Sequence, residues 1–296
     1  MSSSAEPSTI GLPVSKWGLR NEELAEHPTV FRDGLLEGKC VLISGGGSGL
    51  GKAMAFLMAR LGARVMICGR NESKLVEASE AIQNLVGSSV SWQSMSIRDH
   101  EAVDQLIATS REQMGGLDIL VNNAGGQFPQ DAIDFSVKGW HAVIDTNLNG
   151  TWYMMQSAAR HWRDNGEPGS IVNIVATVWK GMPQVAHTCA ARAGVIYLSK
   201  TLATEWAPLD IRVNCVAPGA VETEGFDVYP KGVPETFADS NPMRRLGDAF
   251  DIAEASVYLT APSGKFITGE VLVVDGGHQQ WGTVWPNGRP DYFKVD

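Results

Sequence analysis

The chain has 296 residues, 44% of them hydrophobic, and a formal net charge of -9 at pH 7. This length suits one large core, and the acidic charge argues against nucleic acid or an anionic membrane as the main partner. The four cysteines lie far apart and form no C-x-x-C pair, which excludes the usual metal and redox motifs and predicts reduced thiols.

We also expect a cytoplasmic protein without a membrane partner. The first residues lack the basic and then apolar pattern of a secretory signal, and no apolar run is long enough to span a membrane. The last residues, 293–296, do not form an address of the Ser-Lys-Leu type.

In chain order, the first predicted segment is an N-terminal extension. Residues 1–37 are polar and show no sustained period, so we expect them to wrap the domain or to remain mobile. From residue 38 onward, strand-like apolar runs alternate with helical patterns. The predicted strands cover residues 40–43, 64–68, 90–97, 118–121, 170–175, 211–216 and 271–274, and the predicted helices cover residues 50–61, 75–85, 103–114, 137–163, 185–207 and 249–259.

This rhythm predicts an α/β fold, a single-domain Rossmann-type doubly wound parallel sheet with helices on both faces, over residues 38–278. Residues 222–243 are rich in Glu, Gly and Pro and interrupt the rhythm. We interpret them as a substrate loop, because long connections in compact domains are often functional, and a surface insertion is the alternative. Residues 279–296 are predicted to form a C-terminal tail.

A glycine-rich turn, Ser44-Gly45-Gly46-Gly47-Ser48-Gly49-Leu50-Gly51, joins the first predicted strand to the first predicted helix. Glycines at positions 45, 49 and 51 allow a tight turn, close approach of a pyrophosphate and close helix packing, and the helix N-terminus then faces the phosphates. With a strand before it and a helix after it, the turn predicts a dinucleotide site. An ordinary glycine-rich turn is the alternative.

The end of the second predicted strand indicates which dinucleotide binds. It reads Cys68-Gly69-Arg70, where an acidic residue would bind the ribose 2'-hydroxyl of NAD. A guanidinium suits the 2'-phosphate of NADP instead. We predict NADP(H) as the cofactor, with a merely solvated Arg70 as the alternative.

Four further motifs follow along the chain: Asn122-Asn123-Ala124-Gly125, Asn147, Pro218-Gly219-x-x-x-Thr223 and Asp275-Gly276-Gly277. Together with the glycine-rich turn they resemble the short-chain dehydrogenase/reductase family over residues 38–278. The resemblance implies that the Pro-Gly segment faces the nicotinamide and that Asn147 joins a proton relay or supports the active-site backbone. It also places Ser96 where many members carry an aspartate near the adenine. The predicted cofactor-binding residues are Gly45, Ser48, Gly49, Leu50, Gly51, Arg70, Ser96, Ile97, Asn123, Ala124, Gly125, Arg192, Pro218, Gly219 and Thr223.

The positions that carry catalysis in this family are altered. The serine position holds Ala176, with Thr177 one residue on, and the Tyr-x-x-x-Lys frame reads Thr188-x-x-x-Arg192. A threonine beside a guanidinium cannot readily protonate an alkoxide, so the usual route of carbonyl reduction is changed or lost. The nearby pattern Tyr197-x-x-Lys200 has the wrong spacing and is interpreted as a decoy.

Reduction of a C=C bond conjugated to a thioester needs no acid on the substrate oxygen, because hydrogen-bond donors suffice to stabilise the enolate. Residues 123–128, 138–143 and 190–195 resemble the peroxisomal-type trans-2-enoyl-CoA reductases and, more distantly, the 2,4-dienoyl-CoA reductases of fatty acid metabolism. That resemblance implies an NADPH-dependent enoyl-CoA reductase, an acyl-CoA substrate and a homotetramer. It implies that Arg192 holds the nicotinamide ribose and that Thr188, Asn147 and Thr177 donate near the substrate carbonyl. The predicted catalytic residues are Asn147, Thr188 and Arg192.

Two other functions stay open. An alcohol or hydroxyacyl-CoA dehydrogenase could use Thr188, His187 or water in its proton relay, and a catalytically inactive NADP-binding subunit could stabilise a second, complete subunit. His187 points about 100° away from its helical neighbour Thr188, which favours a packed or a surface histidine over a catalytic one. Four basic residues near the expected substrate mouth either meet coenzyme A phosphates or are solvated: Lys180, Lys231, Arg244 and Arg245.

Overall fold

A parallel sheet of seven strands forms the centre of the molecule in a computed structural model that describes residues 15–229 and 231–281. The strands are β1 (Cys40–Ser44), β2 (Arg64–Gly69), β3 (Val90–Ser94), β4 (Ile119–Asn122), β5 (Gly169–Ile174), β6 (Ile211–Pro218) and β7 (Val271–Val274). Their order across the sheet is β3-β2-β1-β4-β5-β6-β7. The predicted doubly wound α/β fold is confirmed.

Helices cover both faces of this sheet. They are α1 (Asn21–Glu26), α2 (Gly49–Arg60), α3 (Glu72–Val86), α4 (His100–Met114), α5 (Val137–Ile144), α6 (Thr151–Asn165), α7 (Ala186–Glu205) and α8 (Ala249–Thr260). Apolar side chains of α2, α3 and α8 pack in the core on one face, and those of α4 and α6 pack on the other. Because both faces are covered, β1, β4 and β5 are buried along their whole length, which accounts for their continuous apolar runs.

Side-chain caps fix where several helices begin. The Asn71 side chain accepts a hydrogen bond from the backbone N–H of Lys74 at the start of α3. Asp99 caps α4 in the same way, and Asp248 caps α8. Such caps satisfy N–H groups that have no partner within the helix, so the polar residue just before each apolar period marks the helix start.

Strands β1 and β4 lie side by side where the strand order reverses direction. Ser44 at the end of β1 is paired in register with Asn122 at the end of β4. In open sheets of this kind, ligands bind beyond the carboxyl ends of the strands at such a switch point. The glycine-rich turn and the Asn-Asn-Ala-Gly run therefore meet at the place where the fold favours a ligand.

The structure divides one predicted helix and shortens one predicted strand. Residues 137–163 form α5, a π-helical turn at Asp145–Gly150, and α6, rather than one helix. We attribute the π turn to the Asn147 side chain, which is held by two hydrogen bonds to the backbone of Gly126. The strand predicted over residues 90–97 ends at Ser94, because residues 95–97 leave the sheet to line a cavity.

The described part of the N-terminal extension packs against the domain. Leu24 and Leu36 are both buried in the core. The rings of Trp17 and Phe226 meet edge to face with their centroids 5.5 Å apart. The extension is expected either to wrap the domain or to remain mobile, and residues 15–37 wrap the domain.

Residues 1–14 and 282–296 lie outside the described residues, and with them most of the predicted tail at 279–296. Within the described ranges, no helix combines the length and the apolar character needed to cross a membrane.

Candidate active site

The glycine-rich turn after β1 is pressed against the end of β4. Gly45 has a φ of +69°, and a Cβ on it would lie 2.9 Å from the Cα of Ala124. A Cβ on Gly51 would lie 2.1 Å from the carbonyl oxygen of Gly45. The Asn123 amide donates from Nδ2 to that same carbonyl over 3.1 Å. Side chains at positions 45 and 51 are thus excluded by close backbone packing, and Asn123 braces the turn.

A cavity of about 660 Å³ extends from this turn past the ends of β2 and β3. Its mouth carries two cations, Arg70 and Lys74, together with Glu72. The cavity unites many of the predicted cofactor-binding residues, namely Gly45, Ser48, Arg70, Ser96, Ile97, Ala124 and Gly125.

Five further predicted cofactor-binding residues lie at the start of α2 or at and after the end of β6. A Cβ on Gly49, the first residue of α2, would lie 3.6 Å from the Cβ of Thr223. Leu50 follows Gly49 in the first turn of α2, and Pro218 ends β6. A Cβ on Gly219 would lie 2.7 Å from the Cα of Asp275, so the Pro-Gly motif and the Asp-Gly-Gly motif are in contact.

Glu224 holds the N-terminus of α2, and sequence reasoning missed it. Its Oε2 accepts a hydrogen bond from the backbone N–H of Gly49 over 3.0 Å. Its Oε1 lies 3.3 Å from Nζ of Lys52, whose side chain is almost buried. The carboxylate thus sits at a helix end that favours anions. The signal available in the sequence was an acid directly after Thr223 in the predicted substrate loop.

Arg192 is buried and lies over Gly125. A Cβ on Gly125 would lie 2.2 Å from Nη2 of Arg192, so this contact requires glycine at position 125. The guanidinium forms no hydrogen bond or ion pair with any described residue, although only 8% of Arg192 is exposed. Burial lowers the pKa of Arg192 to about 10, which leaves it a cation at neutral pH. Its donors are therefore available to a ligand.

Thr188 contacts the imidazole of His187 through both its backbone N–H and its hydroxyl. Its backbone N–H donates to Nδ1 of His187 over 2.8 Å, and its Oγ1 lies 3.4 Å from the same nitrogen. The imidazole is fully buried, stacked on Phe135 and edge-on to Phe128. Burial also lowers the pKa of His187. The structure thus supports packing for His187, and the role of Thr188 as a donor stays a prediction.

Both polar atoms of the Asn147 side-chain amide form hydrogen bonds with the backbone of one residue, Gly126. Its Oδ1 accepts from the N–H of Gly126 and its Nδ2 donates to the carbonyl of Gly126, each over 3.0 Å. Of the two roles expected for Asn147, this geometry fits support of the active-site backbone.

A bridge crosses from the loop after β4 to the predicted substrate loop. Gln127 donates from Nε2 to the hydroxyl of Tyr229 over 2.8 Å. The Tyr229 ring packs edge-on to Phe237 with centroids 5.2 Å apart. Sequence reasoning missed both residues of the bridge, although Tyr229 is the sole tyrosine between residues 222 and 243.

Other polar residues considered from the sequence lie away from the site or are paired. Tyr197 is 71% exposed, with Nζ of Lys200 over its ring, so the structure agrees with interpreting this pair as a decoy. Arg244 pairs with Asp239, and Arg245 with Asp251. Lys180 donates to the carbonyl of Trp281, and Lys231 is exposed.

These residues fit a dinucleotide cofactor on three structural grounds. Gly45 and Gly51 keep the turn packed closely against β4 and α2, the cavity lies beside this turn, and Arg192 presents a buried cation that no described residue pairs with. Within the described part of the chain, no group of three or more His, Cys, Asp and Glu side chains could hold a metal ion.

Comparison with known proteins agrees with this geometry. A family model described as enoyl-(acyl carrier protein) reductase matches residues 45–279. A probable 2,4-dienoyl-CoA reductase of Bacillus subtilis is 40% identical over 258 residues, covering 85% of this chain and 100% of the relative. The chain belongs to the short-chain dehydrogenase/reductase family. The resemblance predicted from the motifs is confirmed.

Further relatives of this short-chain dehydrogenase/reductase include both a second 2,4-dienoyl-CoA reductase and an enzyme named for another reaction. The peroxisomal 2,4-dienoyl-CoA reductase of Rattus norvegicus is 36% identical, covering 89% of this chain and 90% of the relative. A glucose 1-dehydrogenase of Gluconobacter oxydans is 34% identical, covering 86% and 97%. The family is therefore established, and the relatives span more than one reaction.

Solved structures of the family differ in the dinucleotide they hold. A 3-ketoacyl-(acyl-carrier-protein) reductase from Brucella melitensis, complexed with NADH, has a TM-score of 0.77 and 33% identity and covers 82% of this chain and 99% of its own. A putative 2-deoxy-d-gluconate 3-dehydrogenase from Agrobacterium tumefaciens, with bound NADP, has a TM-score of 0.77 and 32% identity and covers 85% and 100%.

Proposed function

We propose that this oxidoreductase uses NADPH to reduce the conjugated C=C bond of an enoyl-CoA thioester, of the 2,4-dienoyl or trans-2-enoyl type. The observation that carries the proposal is the glycine-rich turn with its cavity, next to a site with Thr188 and Arg192 in the Tyr-x-x-x-Lys frame. Several relatives named as 2,4-dienoyl-CoA reductases, including those of Bacillus subtilis and Rattus norvegicus, support the same substrate class.

The bound dinucleotide would supply a hydride, and the residues of this chain would stabilise the charge that follows. In an unsaturated thioester that charge moves to the thioester oxygen, where hydrogen bonds and a nearby cation lower the barrier. One well-placed donor contributes ~3 kcal/mol in such sites. We assign this task to Thr188 and to Arg192, whose guanidinium has no partner among the described residues, and we propose that Arg192 also holds the nicotinamide ribose.

We propose NADPH rather than NADH because of the charges at the cavity mouth. Arg70 directly follows β2, where a carboxylate would repel a 2'-phosphate, and Lys74 lines the same cavity. A guanidinium can bind a phosphate through two parallel hydrogen bonds.

A second candidate is an alcohol or hydroxyacyl-CoA dehydrogenase with an unusual proton relay. The similarity to a glucose 1-dehydrogenase favours it. It predicts reversible oxidation of a hydroxyl group with NADP, which the conjugated-bond proposal does not.

We further propose a cytoplasmic homotetramer. The sheet ends in β7, whose side chains are all half-buried, and Phe266 beside it is 99% exposed. A second copy of the chain packed on this edge would cover these side chains. All four cysteines are free thiols, in keeping with a reducing compartment.

The deciding experiment is a substrate panel. Purified protein is mixed with NADPH or NADH and with trans-2-enoyl, 2,4-dienoyl and 3-hydroxyacyl thioesters of coenzyme A, and the absorbance of the reduced dinucleotide is followed. We expect oxidation of NADPH with a conjugated thioester and much slower oxidation of NADH. Turnover of hydroxyacyl thioesters alone would favour the second candidate, and no turnover of any conjugated thioester would contradict the proposal.

A further inference from the structure

Tyr229 brings an acidic hydroxyl to the active-site end of the sheet. Gln127, whose amide donates to that hydroxyl, follows Gly125 and Gly126 directly in the loop after β4. Gly125 lies under the Arg192 guanidinium, and Gly126 is held by Asn147. The Tyr229 hydroxyl therefore reaches a loop whose first residues form the floor of the candidate active site.

The polarity of this contact leaves the phenol free to donate. In the bond over 2.8 Å, Nε2 of Gln127 is the donor and the phenol oxygen is the acceptor. The Tyr229 hydrogen has no acceptor among the described residues. A side-chain amide thus orients the oxygen while the O–H group stays available to a substrate.

The tyrosine is held from both ends of its loop. Six residues before it, Thr223 packs beside Gly49 of the glycine-rich turn. Its own ring is packed against Phe226 and Phe237. One loop therefore spans from the glycine-rich turn to the Gln127 bridge, and the ring cannot swing freely at its tip.

No other described tyrosine is placed for the same task. Tyr153 packs edge-on to His100, Tyr197 is 71% exposed, and Tyr258 is 44% exposed. His187 is fully buried between two phenylalanine rings, which prevents it from meeting a substrate directly. The hydroxyl of Thr188 is a far weaker acid than a phenol.

We propose that Tyr229 is the proton donor that replaces the missing tyrosine of the family, delivered from the substrate loop instead of the helix; this inference rests on the proposed function. In a trans-2-enoyl thioester, hydride supplied by NADPH would add to the β-carbon. The electron pair of the C=C bond would then form a double bond between the α-carbon and the carbonyl carbon, and the carbonyl π pair would move onto the thioester oxygen. The α-carbon then takes the proton of the Tyr229 hydroxyl as the carbonyl reforms. The phenolate regains a proton from water, so NADPH and one proton are consumed for each saturated thioester formed.

The test compares Tyr229→Phe with two matched variants, Gln127→Met and Tyr258→Phe. Each enzyme reduces, in D2O, a conjugated acyl-CoA that the wild-type enzyme accepts. The rate is followed by NADPH absorbance, and the face of the carbon that gains deuterium is read by NMR of the product. Dissociation constants for NADPH, measured by fluorescence, check that each variant keeps its cofactor site.

We expect Tyr229→Phe to lower kcat by about 100-fold or more, the usual contribution of a general acid, with the NADPH dissociation constant within about twofold of wild type. Deuterium should then arrive from water on both faces. Gln127→Met, which keeps the phenol, should retain deuteration on a single face, and Tyr258→Phe should match wild type.

Two results would overturn the assignment while leaving the proposed function intact. One is a Tyr229→Phe enzyme within about threefold of the wild-type rate that keeps single-face deuteration. The other is an equal loss of rate in Tyr229→Phe and Gln127→Met with single-face deuteration in both. The Gln127–Tyr229 hydrogen bond would then hold the loop in place, and Tyr229 would not deliver the proton. Failure of the wild-type enzyme to reduce any conjugated thioester would overturn the proposed function and this inference together.

Discussion

Arg192 places a positive charge inside the protein without an internal partner in the described part of the chain. Its donors lie over Gly125, and burial lowers its pKa well below the usual value, to about 10, because burial disfavours the charged form. Since one pKa unit corresponds to about 1.4 kcal/mol, this charge opposes folding by up to about 3 kcal/mol. A ligand that accepts hydrogen bonds from the guanidinium would offset that cost.

We expect Arg192→Met to stabilise the free protein while weakening dinucleotide binding. The free energy of unfolding in urea should rise by about 1–3 kcal/mol, because an apolar side chain of similar length replaces an unpaired buried charge. The cost of the charge is present at every pH below about 10 and declines only above it, so the gain should be equal at pH 6 and pH 8.

The NADPH dissociation constant of this variant should rise about tenfold or more, as measured by fluorescence titration. Arg192→Lys is the control, because it keeps the charge but changes the geometry of the donors and should show no comparable gain in stability. A less stable Arg192→Met protein would contradict the account of this buried charge.

Glu224, directly after Thr223, links the predicted substrate loop to α2. The carboxylate accepts the Gly49 N–H and pairs with Lys52, at the end of α2 that the glycine-rich turn presents to phosphates. A pyrophosphate drawn to the same N-terminus must either displace this carboxylate or tolerate its charge.

We therefore expect Glu224→Gln to bind NADPH more tightly, with a dissociation constant about fivefold lower, because removing the competing charge is worth about 1 kcal/mol. Calorimetric titration measures the change. Glu222→Gln is the matched control, since Glu222 accepts a bond from the N–H of Gly18 and not from α2. Weaker binding in Glu224→Gln would show instead that the carboxylate supports the glycine-rich turn through Lys52.

Elements that carry a periodic pattern were predictable from the sequence, and contacts made between distant loops were not. β7 begins and ends at the predicted residues because a short apolar run bounded by polar residues leaves little choice. The Glu224–Gly49 contact joins positions 175 residues apart, and the Gln127–Tyr229 contact joins positions 102 apart. No local periodicity signals such pairs, which arise only once the sheet brings the loops together.

The active-site substitutions could be read from the sequence because Thr188 and Arg192 keep the spacing of a known frame. The surroundings of the frame could not be read in this way. The Asn147 side chain bonds to the backbone of Gly126 from within a π turn. The sequence pattern predicts a regular helix at this place and gives no sign of the turn. Residue identity thus predicted which chemistry is absent, while backbone geometry was needed to find candidates for its replacement.

At the scale of the whole molecule, the β7 edge of the sheet carries several partly or fully exposed apolar side chains. β7 is only half-buried, Phe266 is almost fully exposed, and Tyr258 is 44% exposed on the neighbouring α8. In a monomer these side chains would be exposed to water. A symmetric contact between two copies would bury the same side chains on both subunits.

We expect the wild-type protein to sediment as a tetramer and Phe266→Glu to sediment as a smaller species, because a charge placed in an apolar interface is costly. Analytical ultracentrifugation distinguishes the two. Leu85→Glu, at an exposed apolar position on α3, should leave the assembly unchanged. A tetramer that survives Phe266→Glu would place the contact elsewhere.

The N-terminal segment contacts the predicted substrate loop from a position before the residues that the family model matches. The family model begins at residue 45, yet Trp17 packs on Phe226 and Gly18 donates to Glu222. Changes in this segment can therefore shift the loop that carries Thr223 and Tyr229 without disturbing the sheet or the glycine-rich turn. Residues before position 45 therefore contact the same loop as the cofactor-binding candidates do, and a substitution at Trp17 can act on that loop from outside the matched range.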